Sequence, residues 1–193
     1  MLDSIIENDI ALFLYLNNLG TVQWDAFWLF MTNKFSAIPL YLLLLFISYK
    51  KIGIKKTMVA VVFILLLIAL SDQTSQFFKY GLKRLRPCHD GNLMDLVRLV
   101  KANCGGKFSF FSAHAANAAA VAVYFGLLLR NFYKYIFSAL LLWAAVVAYS
   151  RIYIGVHFPA DILVGFFIGS TYGILFYKMF KWVVKRYHTS LNP

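Results

Sequence analysis

The chain has 193 residues, of which 61% are hydrophobic and only 14% charged, and its 19 Lys and Arg outweigh 8 Asp and Glu to leave +11. Soluble domains average about 45–50% apolar and about 25% charged residues. The balance excludes a soluble domain and a disordered chain, and its hydrophobicity excludes a nucleic-acid-binding domain. An integral membrane protein remains, one domain over residues 1–193.

Residues 1–20 place Ile5, Ile6, Ile10, Leu12, Phe13 and Leu16 at helical spacing, with Asp3, Glu7 and Asp9 between them. They predict an interfacial amphipathic helix that stops at Asn17–Gly20. A membrane helix needs roughly 20 mostly apolar residues. Five stretches answer to this. The first runs from Trp24 to Tyr49 and carries Asn33, Lys34 and Pro39, which predict a kink or a tilted entry. The second runs from Thr57 to Leu85, the third from Ala113 to Leu129, the fourth from Tyr133 to Tyr149 and the fifth from Pro159 to Tyr177. The expected fold is an all-α polytopic membrane helix bundle of five transmembrane helices, or six if residues 5–32 form a span.

Lys50, Lys51, Lys55 and Lys56, then Arg130 and Lys134, then Lys178, Lys181, Lys185 and Arg186 fall on one side of a five-span chain. Lys/Arg excess marks the cytoplasmic side. The loop 86–111 and the short loop 150–158 then face outward.

Asp72, Gln76, Lys79, Lys83 and Arg86 follow at spacings of 4, 3, 4 and 3, which places them on one face of an extended second helix. Lipid does not tolerate such a face, and clustered cations suggest an anion, with phosphate the usual one at a membrane. Cys88 and Cys104 share the outward loop, so an oxidising compartment predicts a disulfide. Two thiols with few histidines nearby do not make a metal site. Ser112 stands where an N-cap would precede the third helix, with His114 in the first turn, where free N–H groups favour an anion. The last outward loop gives Arg151, then His157 four residues before Asp161. A carboxylate on one imidazole nitrogen fixes the tautomer and leaves the other free to attack. Arg151 offers a phosphate fork.

These residues fall into three motifs: Lys79 with Arg86-Pro87, then Phe111-Ser112-Ala113-His114, then Ser150-Arg151 with His157 and Asp161. The chain resembles the type 2 phosphatidic acid phosphatase (PAP2) family of membrane lipid phosphatases. Phe111 and Ala113 stand where the family usually has Pro and Gly. The resemblance implies a phosphohistidine formed on His157, oriented by Asp161. It implies His114 as the acid that protonates the leaving oxygen and the base that then activates water. It implies Lys79, Arg86, Ser112, Arg151 and the N–H of Ala113 as the phosphate cradle. Lys83, outside the motif, is a candidate secondary headgroup contact. No metal or cofactor is implied, since protein cations stabilise the charge.

The expected protein is a hydrolase of a bacterial inner (cell) membrane, with its active site facing the periplasm or outer side. Its partners are the bilayer and a lipid phosphate substrate, with no nucleic acid. The candidate substrates are undecaprenyl diphosphate, lipid A phosphate, phosphatidylglycerophosphate and phosphatidate. A non-catalytic lipid-phosphate binder or transporter is the alternative, although binding alone does not need two histidines and an aspartate.

Overall fold

The computed structural model describes residues 2–187. Their helices are α1 (Leu2–Asn18), α2 (Val22–Thr32), α3 (Ile38–Ile52), α4 (Ile54–Leu82), α5 (Ala113–Leu129), α6 (Ile136–Tyr153) and α7 (Pro159–Arg186). No strand occurs among the described residues, only an isolated antiparallel bridge between Leu85 and Phe108. Three helices, α4, α6 and α7, are long and apolar enough to cross a membrane. The apolar α5 is shorter, at 17 residues.

The segment 24–49 is not one kinked helix but two, α2 and α3. Asn33 Oδ1 accepts from Phe35 N, and Ser36 Oγ donates to the Asn33 carbonyl. Pro39, which has no N–H to give, then sits in the first turn of α3. The polar stripe also needs correction. α4 ends at Leu82, where Lys83 adopts a left-handed φ of 52°. Lys83 and Arg86 therefore do not continue the helical face of Asp72, Gln76 and Lys79.

α5 is the centre of the bundle. Ala115, Ala116, Ala119, Ala120 and Ala122 are fully buried along it, and α4, α6 and α7 pack around it. A helix apolar on all sides is buried on all sides. The alanines allow close approach, and α7 answers with Gly165, Gly169 and Gly173. A Cβ at Gly165 would lie 2.6 Å from the Ser112 carbonyl oxygen, and one at Gly169 would collide with the backbone of Ala116. The four-residue glycine repeat is a seam within the chain.

From α3 to α7 successive helices alternate in direction, with Ser112 on Asp161 at one end and Lys51 over Phe132 and Tyr133 at the other. The C-termini of α4 and α6 and the N-termini of α5 and α7 thus share one end, and the lysine-rich turns share the other. α1 crosses the first end. Asp9 near its middle accepts from Ala160 N on α7, while Asn17 donates to the carbonyls of Ile152 and Tyr153 on α6.

Candidate active site

The site forms where α5 and α7 start together. Ser112 N donates to the Asp161 carbonyl at 3.1 Å, joining the two N-termini. Ser112 Oγ caps α5 by accepting from Ala115 N at 3.4 Å, which leaves its own hydroxyl proton to give. Two helix starts bring their positive dipole ends to one place.

Pro159 opens α7 and Asp161 follows at its third position. Asp161 Oδ2 accepts from Phe158 N at 3.0 Å and from His157 Nδ1 at 3.3 Å. Its Oδ1 accepts from Arg84 Nη1 at 3.0 Å. The Oδ2 contacts thus fix the loop and the imidazole, while Oδ1 is held by Arg84. Gly155 shapes that loop at φ 83°, where a Cβ would meet the Arg98 carbonyl oxygen at 2.9 Å. His157 is only 2% exposed. Burial, then the positive charges of Arg151, Arg86, Lys79 and Arg84, hold it well below the ordinary imidazole range. It is therefore neutral at neutral pH. With Nδ1–H directed at the carboxylate, the Nε2 lone pair is free.

Besides Arg84, three cations act on this imidazole. Arg151 is buried on α6; Nη1 donates to Thr32 Oγ1 and Nε has no partner. A buried guanidinium with an unused donor calls for an anion. Arg86 is held by the outward loop, with Nη1 on the Cys104 carbonyl at 2.6 Å and Nε on the Phe108 carbonyl at 3.3 Å. Cys88 and Cys104 are joined as a disulfide with their Cα atoms 6.1 Å apart, as their shared loop predicts. The bond thus fixes the carbonyl that orients Arg86. Lys79 lies one turn before the end of α4. The charges of Lys79, Arg86 and Arg151 act on His114 as well as on His157.

The structure therefore gathers Lys79, Arg86, Ser112, Ala113, His114, Arg151, His157 and Asp161. It does not gather Lys83, which is exposed at the α4 C-cap. Sequence reasoning missed three residues. Arg84 sits between Asp161 and Asp9, and its guanidinium lies 4.0 Å from the centre of the Phe158 ring. Thr32 from α2 holds Arg151. Asp9 looked like the polar face of an amphipathic helix, and no spacing linked it to residue 84 or 161. Among the described residues, no group of three His, Cys, Asp or Glu is placed to hold a metal. A neutral imidazole facing a cationic pocket can attack a phosphorus whose oxygens the cations hold.

A family model described as the PAP2 superfamily matches residues 57–185. The chain is 36% identical over 179 residues to a lipid A 4'-phosphatase of Bacteroides thetaiotaomicron, covering 92% of this chain and 79% of that one. It is 33% identical over 188 residues to a lipid A 4'-phosphatase of Porphyromonas gingivalis, covering 96% and 78%. In fold it is similar to a transmembrane PAP2-type phosphatidylglycerolphosphate phosphatase of Bacillus subtilis, with a TM-score of 0.74 at 22% identity, over 95% of this chain and 89% of that one.

Proposed function

This chain belongs to the PAP2 superfamily and is a lipid phosphatase, and we propose that it removes a phosphate from a lipid A-type glycolipid at the outer face of a bacterial inner membrane. The observation that carries the chemistry is His157, buried against Asp161 through Nδ1 and acted on by the charges of Arg151, Arg86 and Lys79. The nucleophile is Nε2 of His157. It attacks phosphorus in line with the departing lipid oxygen, forming a phosphohistidine, while the cradle takes the equatorial charge. His114 donates a proton to that oxygen and then accepts one from the water that cleaves the N–P bond. The cations supply the stabilisation that Mg²⁺ gives in other phosphoryl transfers.

The membrane placement rests on two facts: the site end carries the disulfide, and the opposite end carries the lysine-rich turns. We read α3, α4, α5, α6 and α7 as five spans and α1 as an interfacial helix across the site end. The substrate class rests on two relatives of nearly full coverage, both lipid A 4'-phosphatases. The test is phosphate release by the purified protein from lipid A, undecaprenyl diphosphate, phosphatidylglycerophosphate and phosphatidate in mixed micelles. The highest kcat/KM is expected on lipid A; release from the others alone would overturn the substrate.

A further inference from the structure

A cavity of about 330 Å³ opens beside His114, bounded by the α2–α3 turn, α4, α5 and α6. His114 lines it and His157 does not. In an in-line displacement the leaving group departs on the side opposite the nucleophile, beside the acid that protonates it. If His114 is that acid, a leaving alcohol would lie in this cavity. Its volume lies at the lower end of the ~300–1,000 Å³ common for ligand pockets.

The walls of the cavity say which alcohol. Asp72 and Asn117 both line it, and Asn117 Nδ2 donates to Asp72 Oδ1 at 2.9 Å. The carboxylate can only accept, so this bond fixes the amide orientation. Asn117 Oδ1 is left without a partner, and the other oxygen of Asp72 accepts no hydrogen bond among the described residues. Asn117 lies one helical turn beyond His114, so the two act on neighbouring atoms of one ligand. Asp72 lies ten residues before the end of α4, about 15 Å down the helix at 1.5 Å per residue. An exposed carboxylate at that depth is costly against lipid chains and marks a wet or ligand-filled cavity. Tyr41 and Trp143 also line the cavity, edge to face with centroids 6.1 Å apart.

We propose that Asp72 and Asn117 form a leaving-group subsite for a polyhydroxylated headgroup, whose O–H or amide N–H groups they accept, with Tyr41 and Trp143 as its apolar wall. The subsite selects sugar-borne phosphates over polyprenyl phosphates, because a polyprenyl chain has no donor to offer. A pyranose has both the donors and the apolar faces. The inference rests on the lipid phosphatase reading and refines its substrate.

The test compares wild type with Asn117→Leu and Asp72→Asn on three probes: lipid A, phosphatidylglycerophosphate and undecaprenyl phosphate. Each variant is expected to lose at least about tenfold more kcat/KM on lipid A than on undecaprenyl phosphate. Turnover of undecaprenyl phosphate reports folding and cradle integrity in the same sample. Equal losses on all probes, or none, overturn the subsite while leaving a wild-type preference for lipid A intact. If wild type prefers phosphatidylglycerophosphate and the variants lose that preference, the subsite stands for a glycerol headgroup and the lipid A reading fails. Wild type acting on undecaprenyl phosphate alone overturns both.

Discussion

Arg84 holds Asp161 on the side away from His157. Its Nη1 donates to Asp161 Oδ1 at 3.0 Å, on the oxygen that His157 does not use. Its Nη2 donates to Asp9 Oδ2 at 2.6 Å, and the other oxygen of Asp9 accepts from Ala160 N. The N-terminal helix thus braces the turn that carries His157, the proposed nucleophile. Misplacing a reacting group by about 1 Å can lower a rate about 10²-fold. Arg84→Gln and Asp9→Asn are therefore expected to lower kcat by about 10–100-fold with KM changed little. Arg84→Lys should recover part of the loss. A change confined to KM would assign Arg84 to substrate binding instead.

The two histidines should fail at different steps. His157→Ala removes the attacking nitrogen, and phosphate release should fall to background in a folded protein. His114→Ala should lower turnover by about 10²–10⁴-fold. With an activated leaving group such as a nitrophenyl phosphate, it should accumulate an acid-labile phosphoprotein that His157→Ala never forms. Labelled phosphate trapped on the protein reads both outcomes. A label on the His157→Ala variant would place the nucleophile elsewhere.

The disulfide should matter for substrate binding as well as for stability. Cys88 and Cys104 are 16 residues apart, and a loop of about 15 residues corresponds to roughly 3 kcal/mol when closed. Arg86 is oriented by the Cys104 carbonyl. Reductant, or the Cys88→Ser/Cys104→Ser double variant, should raise KM for lipid phosphate before helix content falls. Unchanged KM and unchanged thermal unfolding would show that the loop holds Arg86 without the bond.

Gly169 should tolerate no side chain. A Cβ there would collide with the Ala116 backbone, and overpacking typically costs about 1–3 kcal/mol. Gly169→Ala should therefore lower the unfolding temperature and the activity together, since Ala116 lies in the turn that carries His114. Gly81, also helical, has nothing within 4 Å of a Cβ. Gly81→Ala should be neutral or stabilising by about 0.5–1 kcal/mol. Equal effects at both glycines would refute the seam.

The neutral state of His157 gives acid sensitivity a sign. Its folded pKa lies below the ordinary 6.5, so below that pH the unfolded chain binds a proton the folded chain refuses. This contribution to stability is complete above pH 6.5 and is lost as pH falls from there toward the folded pKa. Thermal unfolding from pH 8 to pH 5 should show a decline below about 6.5. His157→Gln, which cannot ionise, should make that decline shallower. An identical slope in the variant would mean that His157 contributes nothing to it.

The sequence by itself determined the membrane setting, the helical class and the family. Composition and stretches of apolar residues act locally and additively, so they survive in one dimension. The motif residues Lys79, Arg86, Ser112, His114, Arg151, His157 and Asp161 were legible because each sits at or within a few residues of a helix end, where short motifs and caps are local. Helix spacing was misleading where the helix stops: Lys83 and Arg86 belong to the face of Lys79 only if α4 continues, and the left-handed turn at Lys83 ends it. The break at Asn33 was half visible, as a polar interruption before Pro39 rather than as two helices. Only the tertiary structure decided that Asp9 reaches Arg84, that Thr32 holds Arg151, and that Asp72 meets Asn117 beside His114. Each of these contacts joins residues far apart in the chain. Its partner is chosen by the packing of α1 across the bundle end, of α2 on α6 and of α4 on α5, which no local pattern records.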